Sequence, residues 1–103
     1  MKKYKIKWSE IYEKTDNIVR CLEKKDAKIY GIGFNGQIIA GLTGLACDYP
    51  EDADIIVDDI FDNADIYNAW LKLYPEKEFV FLYNKQQEDF DTEFEFPWDQ
   101  IKE

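Results

Sequence analysis

Two adjacent carboxylates, Asp58 and Asp59, follow directly on the apolar run Ile55-Ile56-Val57, and Asp62 and Asp65 come shortly after. Hard oxygen ligands of this kind suit Mg²⁺, with Asp58 and Asp59 as the metal candidates. The run itself is β-branched at every position, is too short for a helix and shows no polar alternation. That is the pattern of a strand buried on both faces. The spacing predicts strand, acidic loop, helix, with the acids at the carboxyl end of a central strand. Open α/β sheets bind ligands at that end.

A second stretch with chemical potential is Gly31-Ile32-Gly33-Phe34-Asn35-Gly36, between a short strand (28–32) and a small-residue helix expected from about Gln37 to Cys47. Glycines in that position can cradle an anion with backbone N–H groups, and their spacing matches G-x-G-x-x-G. A plain tight turn is the simpler reading of the same glycines. The chain has no histidine, which removes the commonest general base and the commonest metal ligand.

The elements that must hold these stretches follow from periodicity. Tyr4, Ile6 and Trp8 alternate with Lys3, Lys5 and Lys7, as in an edge strand with lysines outside. Ser9 is the expected N-cap of a first helix whose stripe is Ile11, Thr15, Ile18, Val19 and Leu22. A seven-residue turn, Asp48–Asp54, leads to the acidic strand. A third helix, Ala64 to Tyr74, is expected to bury Ile66, Ala69, Trp70 and Leu73 before Pro75 stops it. Phe79 to Tyr83 is a further apolar strand. Strands alternating with helices imply an α/β fold, a three-layer open and mainly parallel sheet with flanking helices and right-handed crossovers. The 103 residues make one domain.

Composition narrows the partners. Residues 1–30 carry nine Lys/Arg against five Asp/Glu (+4); residues 31–103 carry four Lys against seventeen Asp/Glu (−13). Such a surface repels nucleic-acid phosphates, so no nucleic-acid binding is expected. No apolar run approaches membrane-spanning length, and no signal-peptide core follows the basic start. Cys21 and Cys47 show no metal spacing and read as buried free thiols of a cytoplasmic protein. Trp70, Tyr74 and the C-terminal aromatics exceed what so small a core needs, which points to a homo-oligomer or another contact.

The order of these parts resembles the type I phosphoribosyltransferases, and among them the bacterial xanthine–guanine subgroup. The family signature is an apolar strand, two acids and a D-T-G-x-T loop; residues Ile55 to Ile66 stand in its place. Gly31 to Gly36 is similar to the pyrophosphate loop, Leu73-Tyr74-Pro75 with Phe79-Val80 to Y-P-x-A-x-F-V, and Glu95-Phe96-Pro97-Trp98-Asp99 to the purine-pocket ending E-x-P-W-D. The likeness runs from Tyr4 to Asp99. It implies a reduced phosphoribosyltransferase-like core lacking the mobile-loop segment, with Asp58 and Asp59 on ribose hydroxyls and Asp62 at the general-base position. Asn63, Ala64, Asp65 and Ile66 would lie at the 5′-phosphate. Gly33, Phe34, Asn35 and Gly36 would lie at the pyrophosphate, and Lys85, Phe94 and Glu95 at the purine.

The departures cut against turnover. Both loop hydroxyls are gone, glycine has become Ala64, and Asp65 faces where a phosphate dianion would lie. Like charges ~4 Å apart cost ~1 kcal/mol in water and several in a partly buried site. Phe34 stands where the family carries a cation, and no arginine occurs beyond residue 30. The reading is a catalytically degenerate relative that binds a partner protein or a purine-like ligand, with no certain cofactor. One alternative is a minimal purine phosphoribosyltransferase using Mg²⁺ and Asp62. The other is an acidic decoy of a nucleic-acid-binding protein. Without the resemblance, Asp62 or Asn63 would simply cap the third helix, with Asp65 in its first turn. Lys85 would be a solvated lysine, and Phe94, Phe96 and Trp98 core or interface cover.

Overall fold

A computed structural model describes residues 2–24, 26–61, 64–85 and 92–100. The elements run β1 (Lys2–Lys5), α1 (Trp8–Arg20), β2 (Ile29–Gly31), α2 (Gly33–Thr43), β3 (Ile55–Phe61), α3 (Ala64–Leu73), β4 (Glu78–Asn84), β5 (Thr92–Glu95) and α4 (Pro97–Gln100). A single 3₁₀ turn, Pro50–Asp52, precedes β3. Strands β2, β3 and β4 form one parallel sheet in that order, and β1 pairs in parallel with β5 in a second. This is the expected α/β class with a parallel open sheet and flanking helices.

Successive strand residues face opposite sides, which sets the layers. Ile29, Ile55, Val57 and Leu82 form one face and bury against Ile39 and Ala40 of α2, Ile11 of α1, Ile6 and Phe96. Each such side chain contributes about 1.5–3 kcal/mol by leaving water. On the other face, Tyr30 meets Trp70 of α3, and Tyr67 meets Phe79 and Phe81 edge-on. The close fit of α2 depends on two glycines. A Cβ on Gly31 would lie 1.9 Å from the carbonyl oxygen of Gly36, and one on Gly36 would lie 3.0 Å from that of Val57.

Local boundaries differ from the sequence reading in four places. Helix α1 starts at Trp8, with Lys7 rather than Ser9 at the cap, because the Glu10 carboxylate reaches back to the Lys7 N–H. Helix α2 starts at Gly33 and ends at Thr43, so four of the six residues of the glycine stretch are already helical. Ala46 then forms a parallel bridge with Ile29, where a plain helix-to-strand turn was expected. Strand β3 continues through Asp58 and Asp59 to Phe61, because β4 pairs with it along its length. In α3, Ile66, Ala69 and Leu73 are exposed; the inward side carries Tyr67 and Trp70 instead. Both cysteines are free; Cys47 is half-buried, but Cys21, at the end of α1, is exposed. No helix among the described residues is long and apolar enough to cross a membrane.

One carboxylate bridges the two sheets. Tyr4 Oη donates to Glu10 Oε2 at 2.8 Å, and Tyr83 Oη donates to the same oxygen at 3.1 Å. Lys14 Nζ lies 4.7 Å from the centre of the Tyr83 ring. Burial pushes the Glu10 pKa up, but the bonds from Tyr4, Tyr83 and the Lys7 N–H, with Lys14 nearby, outweigh it and leave the value lowered. Burial and then the Glu10 bond push the Tyr83 phenol up. A depressed carboxylate stabilises the fold above its unfolded pKa of about 4.3 and loses that contribution as pH falls through the folded value. Glu10→Gln should therefore cost about 1–2 kcal/mol at pH 7. In urea titrations the gap between wild type and variant should shrink as pH drops below about 4.3. A gap independent of pH would mean that the charge of Glu10 contributes nothing.

Candidate functional site

The bridge at Ala46 locates the crevice. The Ile29 N–H donates to the Leu45 carbonyl, and the Ile29 carbonyl accepts the Cys47 N–H, on the edge of β2 that faces away from β3. After β2 the chain thus crosses over α2 to that outer edge, then returns to β3 on the inner edge and proceeds to β4. Helices α2 and α3 lie on opposite faces and the two crossovers run in opposite directions, so both have the same hand, as the general rule for such units requires. The winding direction reverses between β2 and β3. Ligands of open α/β sheets sit outside the carboxyl ends of strands at such a reversal.

What lies there is a chain of side-chain hydrogen bonds. Asn35, in the first turn of α2, donates Nδ2–H to Asp59 Oδ2 at 2.9 Å, and its Oδ1 accepts from Trp98 Nε1 at 2.9 Å. The other Asp59 oxygen accepts the Ile60 N–H at 2.8 Å, and Asp58 Oδ1 accepts the Asp59 N–H at 2.8 Å. Trp98 is held by stacking on Phe96 at 4.9 Å and by the tilted Trp8 ring at 5.8 Å. The crevice is therefore closed over by α4, and both polar groups of Asn35 are engaged.

Asp58 and Asp59 do not converge. Asp59 lies on the α2 side, while Asp58 lines a space on the α3 side with Ile32, Ile66, Tyr67, Trp70, Phe79 and Phe81. That space holds about 30 Å³, room for one water molecule and none for a heterocycle. Two carboxylates on opposite faces of one strand do not chelate one Mg²⁺. Among the described residues no group of three or more His, Cys, Asp or Glu side chains is placed to hold a metal.

The other candidates are dispersed. Gly33 has φ +67° and opens α2, and Phe34 next to it is 75% exposed. Gly36 is buried against β2. Ala64, Asp65 and Ile66 form the exposed first turn of α3, while Asp62 and Asn63 lie outside the described residues. Lys85 follows β4, its N–H bonded to the Phe61 carbonyl. Phe94 packs between Tyr4 and Tyr83, and Glu95 pairs with Lys3 at 3.0 Å. The structure thus brings together Asn35 and Asp59 from the sequence candidates, and it separates Phe94 and Glu95 from them. Trp98, read as core or interface cover and as part of the purine-pocket ending, completes the central hydrogen-bond chain. The aromatic after Pro97 was the one signal that could have found it. The protein is a small doubly wound α/β domain with a self-closed crevice. No protein-family model matches the chain, and no curated protein matches it either.

Proposed function

We propose that the chain is a phosphoribosyltransferase-like domain without turnover, whose retained fold binds a partner protein or an uncharged purine-like ligand. The observation that carries this reading is the Trp98–Asn35–Asp59 chain. It occupies the crevice where the resemblance places the pyrophosphate and ribose, and it commits one of the two acids assigned to ribose hydroxyls. Phe34 supplies no charge beside it. The first turn of α3 presents Ala64, Asp65 and Ile66, with neither hydroxyls nor a cation for a phosphate. A highly charged phosphoribosyl diphosphate would have to break the Asn35 bonds and also meet an acidic surface. A neutral base or a protein surface carries no such penalty.

Calorimetric titration tests this. Phosphoribosyl diphosphate with Mg²⁺ should give no binding up to millimolar concentration, alone or with guanine or xanthine, and no nucleotide should form. A variant carrying Asn63→Thr, Ala64→Gly, Asp65→Gly and Ile66→Thr should gain measurable phosphate affinity. Micromolar binding of the diphosphate by the natural chain, or any turnover, would overturn the proposal.

A further inference from the structure

Helix α3 packs on the sheet along one side only. Tyr67 and Trp70 meet aromatic residues of the strands, but Ile66 is 53% exposed and Leu73 is 71% exposed. Asp65, Ala69 and Lys72 on the same outer side are exposed as well. At 100° per residue, Ile66 and Leu73 fall on one flank of that side, Asp65 and Lys72 on the other, and Ala69 between them. Two aliphatic side chains seven residues apart, beside an acid and a base seven residues apart, make a pattern that is complementary to its own reverse.

We propose that this face of α3 is the contact surface for a second copy of the chain, joined as an antiparallel helix pair about a two-fold axis passing beside Ala69. In that arrangement each flank meets the same flank of the partner, run in the opposite direction. Ile66 then lies across from Leu73 of the other copy, and Asp65 across from Lys72, each contact made twice. An isologous interface requires this kind of self-complementarity. The small Ala69 lets the helices approach at the axis. A parallel pairing would instead set the Asp65 and Lys72 flank of one copy against the Ile66 and Leu73 flank of the other, leaving the charges unpaired against apolar side chains, which opposes it. The ten-residue helix offers an interface at the small end of the specific range, so the dimer is a weak one. The inference does not rest on the functional reading, although Asp65 and Ile66 also stand where the resemblance places the 5′-phosphate.

Sedimentation equilibrium of the full chain, from about 1 µM to about 1 mM, tests it. The wild type should dimerise with a micromolar dissociation constant, the range of small interfaces. Leu73→Glu, at an already exposed position, should weaken the dimer by about 100-fold or more. Asp65→Lys and Lys72→Asp should each be monomeric at tens of micromolar, because each sets like charges together twice. An equimolar mixture of those two variants should dimerise again, since each of its flanking pairs has opposite signs. A helix merely damaged by substitution would not be rescued by mixing. A wild type that stays monomeric throughout, a dimer indifferent to Leu73→Glu, or a mixture no more associated than its components would each overturn the proposal.

Discussion

Gly31→Ala should destabilise the protein by about 3 kcal/mol or more, a large part of the roughly 5–15 kcal/mol that holds a domain of this size together. The added methyl would sit 1.9 Å from the Gly36 oxygen and 2.2 Å from its carbonyl carbon. Both are backbone atoms, so no rotamer change relieves the clash; β2 and α2 must separate. Gly36→Ala meets backbone at 3.0 Å and should cost less, about 1–2 kcal/mol. Gly41→Ala meets nothing within 4 Å and lies on the exposed side of α2. It should stabilise by about 0.5–1 kcal/mol through helix propensity and the stiffer unfolded chain. Urea midpoints for the three variants give the ranking directly. If Gly31→Ala unfolds with the wild-type midpoint, the close approach of α2 to β2 is wrong, and the crevice built on it is wrong too.

Phe96→Ala should have a comparable effect for a different reason. Phe96 is 1% exposed and fills the junction between the two sheets, where it packs with Ile6, Ile11 and Leu82. Removing a buried phenylalanine side chain costs about 3–5 kcal/mol through lost transfer energy and the cavity left behind. Its second consequence lies in the crevice. Trp98 stacks on Phe96 at 4.9 Å, so the variant should also free the indole from Asn35. Tryptophan fluorescence measured under conditions where the variant remains folded should shift to longer wavelength and become easier to quench. Trp98→Phe should spare most of the stability and release Asn35 alone. Loss of stability with an unchanged emission spectrum would mean that α4 is held by something other than Phe96.

The architecture was legible where one physical signal dominated. Ile55-Ile56-Val57 and Phe79 to Tyr83 are apolar without alternation, and they became two neighbouring strands, β3 and β4, of the three-stranded sheet. The α1 stripe buried Ile11 and Thr15 as its spacing required, but Val19, at its far end, stayed exposed. Signals failed where a partner far along the chain decided the outcome. Asp58 and Asp59 read as the end of a strand because carboxylates seldom continue one. The pairing with β4 carries them on, and alternation then sends them to opposite faces. Glu10 looked like an ordinary acid in a first helical turn. Its value lies in phenols 6 and 73 residues away, which no local pattern announces. Ile66 and Leu73 have the spacing of a buried stripe, but the aromatic side chains of Tyr67 and Trp70 are larger and took the inner side. The glycine stretch was recognised, though its glycines serve mainly to bring α2 against β2.

The pairing of β1 with β5 has a consequence for how the molecule comes into being. Lys2 lies beside Thr92 and Lys5 beside Glu95, partners ninety positions apart in each case. Strand β1 must wait until all the elements between it and β5 have been made before it finds its hydrogen-bond partner. The β2-α2-β3-α3-β4 unit can assemble without that pair, whereas β1, α1 and the Glu10 clasp cannot settle until β5 emerges from the ribosome. Closing so long a loop is entropically costly and slow compared with local contacts. Folding should therefore start from a central unit that forms early and end with a two-stranded seam that closes last. Until then the aromatic side chains of Tyr4 and Tyr83 stay open to solvent, and that is the interval in which the nascent protein is most exposed to chaperones and proteases.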